Sequence, residues 1–330
     1  MTMYKSGALF SGIGGFCLGF AEAKVNTVWA VEHDLAAVST YNHNIKGVSV
    51  IAKDVREVHV SSDNLEPVDI LHAGFPCQSF SQAGAKQGFA DDRGKLFYEI
   101  MRIVNEFKDR RPSVIVLENS PYIRHGDGGS WFLELTTAIR KAGYWFRDIN
   151  CAELDSYELT HLPQRRKRLF MVAFSTLKFR NGKMNFPNRK WVGEKNLSNY
   201  INFSGRQDDF YYLDGENRYY QMISQQANDL NCIYQLRKYL VRVKEAGVCP
   251  TLTANMGQGG HNVPFIFDAH GLRKLTEYEC LKLQGFPAGF TFPEDVTRPK
   301  RYMQVGNSVA VPIVSLLADA ITDKLQKELL

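Results

Sequence analysis

Apolar positions in the first half of the chain follow two alternating patterns. Unbroken apolar runs at residues 7–10, 27–31, 113–117 and 169–174, and the run that follows Asp69, read as strands covered on both faces, which show no polar alternation. A further strand is expected over 144–151, and a short third one ends at Asp54. Between them, residues 16–23 read as a helix. Residues 95–107 are apolar at 96, 100, 103, 104 and 107, and residues 131–142 at 131, 135, 138, 139 and 142, two further helical stripes. Gly143 closes the last of these. Strands alternating with helices predict an α/β protein with a doubly wound, mainly parallel sheet.

The alternation fades from about residue 188 to about 261 and returns near Leu275. There Thr276 and Glu279 have the spacing of a capping box for a helix ending at Gly285. Pro312 suits the first turn of a long apolar C-terminal helix. The expected organisation is a large domain of residues 1–187 plus 272–330 and a smaller, irregular one over 188–271.

Composition adds limits. The 330 residues are 44% hydrophobic and 23% charged, the balance of an ordinary globular protein, and the net charge of +5 is compatible with a polyanionic partner. Six cysteines, at 17, 77, 151, 232, 249 and 280, include no Cys-x-x-Cys pair. That spacing offers neither a disulfide framework nor a zinc site, so no metal is expected and the thiols fit a reducing, cytosolic compartment. No apolar signal segment opens the sequence and no apolar run reaches membrane-spanning length, so no membrane partner is expected.

Candidate chemistry gathers where strands stop. The run after Asp69 breaks at Gly74-Phe75-Pro76, and Cys77 follows at once with Gln78 and a small, polar loop over 79–94. A thiol at a strand tip is placed to act as a nucleophile, since α/β sheets gather ligands at strand carboxyl ends. The first strand runs into Ser11-Gly12-Ile13-Gly14-Gly15, a glycine turn opening a helix. Cys17 stands where a dinucleotide fingerprint has its third glycine, which leaves another adenosine-bearing cofactor. Glu32 lies 20 positions beyond Gly12, where such folds place a carboxylate for ribose hydroxyls, and Asp54 at the next strand tip is a candidate acceptor for an adenine amino group. Glu118-Asn119-Ser120 closes another strand, and Gln164-Arg165-Arg166-Lys167-Arg168 is a basic cluster suited to phosphates or to steering a carboxylate. Arg237, Lys238, Arg242 and Lys244 interleave with Tyr234 and Tyr239, a mixture that suits nucleic acid and equally a plain surface domain.

In order, these pieces resemble the DNA (cytosine-5)-methyltransferase family over nearly the whole chain. Phe10 to Gly15 is similar to the first cofactor motif, Gly74-Phe75-Pro76-Cys77-Gln78 to the catalytic Pro-Cys motif, and Glu118-Asn119 to its Glu-Asn partner. Gln164, Arg166 and Arg168 resemble Gln-x-Arg-x-Arg, Thr251-Leu252-Thr253 the element ending the target-recognition domain, and Gly306-Asn307-Ser308-Val309 the closing Gly-Asn-x-Val. Ser120 departs from the valine usual after Glu-Asn. The tRNA-modifying relatives carry Cys-Phe-Thr and Pro-Pro-Cys elements that this chain lacks.

The resemblance implies a Rossmann-like fold that uses S-adenosylmethionine, with a smaller target-recognition domain. It implies Cys77 attacking C6 of a flipped-out cytosine, with Glu118, Gln78, Asn119, Arg166 and Arg168 in the catalytic set. Phe10, Gly12, Ile13, Gly14, Gly15, Glu32, His33, Asp54, Val55, Pro76, Leu96, Asn307, Ser308 and Val309 would surround the methyl donor. Gln164, Arg237, Arg242 and Thr251 would meet double-stranded DNA. A bacterial cytoplasmic monomer is the expected setting, encoded beside a restriction endonuclease, with an orphan or phage-defence role equally compatible.

Overall fold

The computed structural model describes residues 4–76, 91–226, 229, 231–237, 240–257 and 262–329. They form two compact units, one of Met1–Leu154, Lys167–Asn188 and Val311–Leu330, the other of Asp155–Arg166 and Arg189–Ala310.

In the first unit the apolar runs become β1 (Lys5–Leu9), β2 (Asn26–Val31), β3 (Ser49–Ile51), β4 (Ile70–Gly74), β5 (Val114–Asn119), β6 (Tyr144–Trp145), β7 (Cys151–Asp155) and β8 (Lys167–Ser175). Helices α1 (Gly15–Glu22), α2 (Leu35–Asn44), α3 (Asp92–Glu106) and α4 (Ser130–Lys141) stand between them. The sheet order is β3-β2-β1-β4-β5-β8-β6, with β7 also paired to β8. The first five strands are parallel, as the sequence predicts, while β8 runs antiparallel to β5 and β6. Register brings the carboxyl ends together: Leu9 pairs with Val31 and Ala73, and Gly74 with Glu118. Because β8 is reversed and Asn119 pairs with Leu169, its first residues, Lys167 and Arg168, arrive at that same edge. Strand order turns between β1 and β4, the crevice where open α/β sheets hold ligands.

Two strand expectations need correction. The strand over 144–151 is interrupted by a 3₁₀ turn at Asp148–Asn150, because buried Asn150 accepts from Arg147 N (3.0 Å) and donates to Val172 O (2.9 Å). The third strand stops at Ile51, and Asp54 instead caps a 3₁₀ turn at Val55–Glu57, accepting from Arg56 N.

His72, on β4, is buried and stacks on Phe16 and Phe20 of α1, ring centroids 5.2 and 5.0 Å apart. Burial pushes this imidazole down to about 3 from its ordinary 6.5, so it stays neutral. The unfolded chain takes up a proton below about pH 6.5 that the folded chain refuses. Stability contributed above that pH is therefore lost as pH falls, by about 1.4 kcal/mol per unit down to about pH 3. His72→Phe is expected to flatten the fall in urea midpoint between pH 6.5 and 5. Parallel slopes for variant and wild type count against this origin of acid lability.

The second unit holds α5 (Ser156–Leu159), α6 (Arg218–Ser224), β9 (Tyr234–Arg237), β10 (Leu240–Val243), β11 (Pro264–Asp268), β12 (Gly271–Lys274), α7 (Glu277–Leu283) and α8 (Arg298–Asn307). The stretch expected to be irregular thus contains a four-stranded antiparallel sheet, ordered β10-β9-β11-β12. Ile223, Tyr234, Leu236, Val241, Phe265 and Leu272 form its core. The compact unit also extends beyond 188–271 at both ends. Arg273 of β12 ion-pairs with Glu279 of α7, which ties that helix to the sheet, and Gln164 donates to Leu283 O, which ties 155–166 to α7. The capping box forms as expected: Glu279 N donates to Thr276 Oγ1 (3.2 Å) and Thr276 N to Glu279 Oε2 (2.8 Å).

The last helix, α9 (Val311–Glu328), returns to the first unit and lies on α1. A side-chain carbon on Gly19 would stand 2.6 Å from Val314 Cβ and 2.9 Å from Val311 O, so only glycine admits this approach. The apolar 18-residue window that gives this part of the chain the composition of a membrane span is 61% buried in the protein, as in a core helix.

Candidate active site

The turn after β1 is shaped by its backbone. Phe10 takes φ 55°, uncommon for a bulky residue, and Gly12 and Gly14 take φ 53° and 90°. A side chain at Gly14 would also run into Ile45 and Tyr41, so this position excludes other residues twice over. At Gly12 the same direction is open space. Ile13 is buried beneath the turn and Gly15 begins α1.

Glu32, 8% exposed, stands against this turn. Its Oε2 accepts from Gly12 N (2.9 Å) and its Oε1 from Asp34 N (2.8 Å), with His33 Nδ1 3.1 Å from Oε1. Burial alone would raise its pKa, but the hydrogen bond from His33 and those from the Asp34 and Gly12 N–H groups hold it below the usual carboxylate range. The hydrogen bond to Glu32 in turn raises His33, which is largely exposed. Ser11 Oγ is buried with no hydrogen-bond partner among the described residues. An anionic carboxylate with lone pairs to spare, an unpartnered hydroxyl and open space at Gly12 fit an adenosine-bearing ligand.

Asp54 is less available than the sequence implies. Its Oδ1 accepts from Arg56 Nε (2.9 Å) and its Oδ2 from Arg56 Nη2 (2.6 Å), and this bond lowers its pKa to about 2. Any adenine amino group must share that carboxylate with Arg56. Val55 is buried and Leu96 packs partly against the sheet core.

At the next strand tip, Phe75 is buried and Pro76 half-buried; Cys77 and Gln78 lie outside the described residues. Across the register, Glu118 is 8% exposed and its Oε1 lies 3.2 Å from Arg168 Nε. A carbon on Gly74 would stand 3.4 Å from Glu118 Oε2 and 3.5 Å from Phe16 Cε2, so the other carboxylate oxygen faces the base of the Pro76-Cys77 segment. Asn119 is fully buried; its Nδ2 donates to Phe75 O (3.2 Å) and its Oδ1 accepts from Ser120 N (2.8 Å). The amide expected among the catalytic groups is therefore spent on holding the backbone ahead of Cys77. Ser120 caps the 3₁₀ turn Pro121–Arg124, its Oγ accepting from Tyr122 N, which gives the departure from valine a local use.

Two expectations in the second unit require correction. Arg166, 3% exposed, donates through Nη1 to Leu252 O (2.7 Å) and through Nη2 to Gly306 O (3.1 Å) and Ser308 O. It braces three carbonyls, whereas Arg168 is the cation at Glu118. Gln164 is fully buried, with Nε2 donating to Leu283 O (2.8 Å) and Oε1 accepting from Leu252 N (3.1 Å), so its amide has no face for DNA. A basic or amide side chain in a cluster carries no sequence signal that separates a ligand contact from a carbonyl clamp. Thr251 Oγ1 donates to Arg165 O (2.7 Å). Arg242 is exposed on β10, and the Arg237 side chain lies outside the described residues. Asn307 is exposed, Ser308 half-buried and Val309 buried.

The five described cysteines, Cys17, Cys151, Cys232, Cys249 and Cys280, are buried free thiols. Burial pushes each one up, Cys151 to about 12, which makes them poor thiolates near neutrality.

Comparison with known proteins gives the chain its relatives. The chain is 38% identical over 323 residues to the Type II methyltransferase M.Bsp6I of Bacillus sp. (strain RFL6), covering 97% of this chain and 98% of that one. It is 31% identical over 319 residues to the Type II methyltransferase M.NlaX of Neisseria lactamica, covering 96% of each. Among solved structures it is similar in fold to the Entamoeba histolytica methyltransferase EhMeth, with a TM-score of 0.74, 18% identity and coverage of 98% and 99%. The model of the C-5 cytosine-specific DNA methylases matches residues 4–323, and a match of that extent means that the chain belongs to the C-5 cytosine-specific DNA methylase family.

Proposed function

We propose that this protein methylates C5 of a cytosine flipped out of a specific duplex DNA sequence, using S-adenosylmethionine and a transient bond between Cys77 and C6. S-adenosylmethionine, when bound, supplies an electrophilic methyl group. Gly12, Ser11, Glu32 and Asp54 are the residues suited to hold its adenosine part, through the carboxylates and the open turn described above.

The chain's own residues account for the rest. Cytosine C5 is a weak nucleophile, so electron density has to enter the ring first. The Cys77 thiolate adds at C6 while Glu118 donates its proton toward N3, leaving an enamine nucleophilic at C5. Once C5 carries the methyl group, a water molecule takes the C5 proton, that bond's electrons re-form the C5–C6 double bond as the thiolate leaves with the C6–S pair, and N3 returns its proton to Glu118. Arg168 fixes one oxygen of Glu118, and Asn119 holds the Phe75 carbonyl, two residues before Cys77 in sequence. The base is unreachable in a stacked duplex, so it must be extruded, at a cost of a few kcal/mol. Residues 188–271, which from Arg189 onward belong to the second compact unit, serve target recognition. The Type II names of the relatives support a restriction–modification setting, with a monomer working beside a cognate endonuclease.

The observation that carries this reading is Glu118, buried at the tip of β5 with one oxygen on Arg168 and the other toward Gly74, beside the strand that leads into Pro76-Cys77. Incubation with labelled S-adenosylmethionine and either duplex DNA or tRNA tests it. Label in DNA alone, at cytosine C5, is the expected result; label in tRNA alone, or in neither, overturns it.

A further inference from the structure

Strand β3 ends beside Glu32, whose N–H donates to Ile51 O (3.2 Å), and Asp54 follows three residues later. The pKa of His33 is raised first by its hydrogen bond to Glu32 and also by the charge of Asp54, so the two acids share one edge of the sheet. The main chain of the turn that Asp54 opens is held without the Arg56 side chain. Glu57 N donates to Asp54 O (2.9 Å), and Arg102 Nη2, from α3, donates to the carbonyl of buried Val55 (2.9 Å). The Arg56 side chain is spent on the Asp54 carboxylate instead.

A carboxylate offers about four lone-pair positions. Oδ1 of Asp54 accepts from Arg56 N (3.0 Å) and Arg56 Nε (2.9 Å), and Oδ2 from Arg56 Nη2 (2.6 Å). One position remains, on Oδ2, and the side chain is 30% exposed, so a ligand can reach it. Folding stability gives this fork little purpose. The Arg56 side chain is 59% exposed, and ion pairs so exposed contribute little to it. What the fork does is hold the carboxylate in one orientation and keep it ionised well below neutral pH. A fixed anion with a single open acceptor is selective where a freely turning one is not. It accepts from an N–H donor and repels a carbonyl oxygen at the same point, since it can neither rotate away nor take up a proton.

We propose that Arg56 is a positioning residue for the cofactor: its fork orients Asp54 so that the remaining lone pair reads the 6-amino group of adenine and rejects an oxygen there. This rests on the function proposed above, which assigns Asp54 to adenosine, and adds the residue that makes that contact selective.

The test is titration calorimetry of the whole chain, without DNA and at one pH near neutrality. The two ligands are S-adenosylhomocysteine and S-inosylhomocysteine, which carries oxygen in place of the amino group. Wild type should prefer the amino ligand by roughly 10- to 150-fold, the worth of a hydrogen bond to a charged group. Arg56→Ala should cut that preference below about 5-fold, chiefly by binding the inosine ligand more tightly, because Asp54 is then free to turn to water. Arg56→Lys, a point charge without the fork, should fall between them. Equal weakening of both ligands in Arg56→Ala, with the preference kept, makes the pair structural and overturns the proposal. A preference unchanged in both variants overturns it as well. Should Arg56→Ala fail to fold, the lysine variant gives the same readout. A wild type that binds S-adenosylhomocysteine without preferring it overturns the proposal but leaves methyl transfer standing. A wild type that binds neither ligand removes the cofactor reading underneath it.

Discussion

Glu118→Gln lowers the rate of methyl transfer by about 10²- to 10⁴-fold, the usual contribution of a positioned general acid. Glutamine matches the size of the side chain and still reaches a ring nitrogen, but it has no carboxyl proton to give. It also keeps an oxygen for Arg168 Nε, in the amide, and leaves β5 and its apolar neighbours intact. Single-turnover methylation at saturating DNA separates this chemical effect from binding. Cofactor affinity, measured by titration calorimetry, should change little, since Glu118 is not among the groups assigned to adenosine. An unchanged single-turnover rate removes Glu118 from proton donation, whereas a matching loss of cofactor binding points to a local collapse.

The second large effect concerns stability. Arg273 is fully buried, its Nε donating to Asp268 Oδ2 (2.6 Å) and its Nη1 and Nη2 to the two oxygens of Glu279 (2.8 Å each). It also donates to Lys274 O (3.0 Å) and Asn202 O (2.8 Å), so all of its nitrogens are engaged. Such a cluster adds little net stability over a well-packed apolar substitute, yet removal of one partner strands the others. Arg273→Met leaves Asp268 and Glu279 as buried charges without their cation and is expected to cost about 3–5 kcal/mol. Urea unfolding followed by tyrosine fluorescence measures this. Adding Asp268→Asn and Glu279→Gln to Arg273→Met should recover part of the loss, because the stranded charges are then gone. A single variant with wild-type stability contradicts the assignment of those charges to the core.

How much of this was legible in the sequence differs between the two units. In the first, strands covered on both faces are continuous apolar runs, and the residues after them fall at one edge because parallel strands end together. The strand-tip positions of Glu32, Glu118 and Gly74 could therefore be read from the sequence, whereas Cys77 lies outside the described residues. The reversal of β8 was not legible, since an apolar run carries no direction, yet that reversal is what brings Arg168 to Glu118. In the second unit, strands of four or five residues share their length with basic and aromatic side chains, so their period of two is hard to see. The roles of Gln164 and Arg166 were hidden for another reason. Their partners are main-chain groups more than 80 residues away, and sequence says nothing of such carbonyls. Ser120 is the opposite case: a hydroxyl before proline is a local capping signal, readable once the turn it starts is recognised.

The most direct measurement is covalent trapping on duplex DNA carrying 5-fluorocytosine at the target position, in the presence of S-adenosylmethionine. Fluorine at C5 cannot leave as a proton does, so a sulfur bonded to C6 stays attached. Wild-type protein should give a DNA adduct stable to denaturing electrophoresis, and Cys77→Ser should bind the same DNA but give none. An equal yield of adduct from Cys77→Ser, or active wild-type enzyme that forms no adduct, would contradict attack by this thiol.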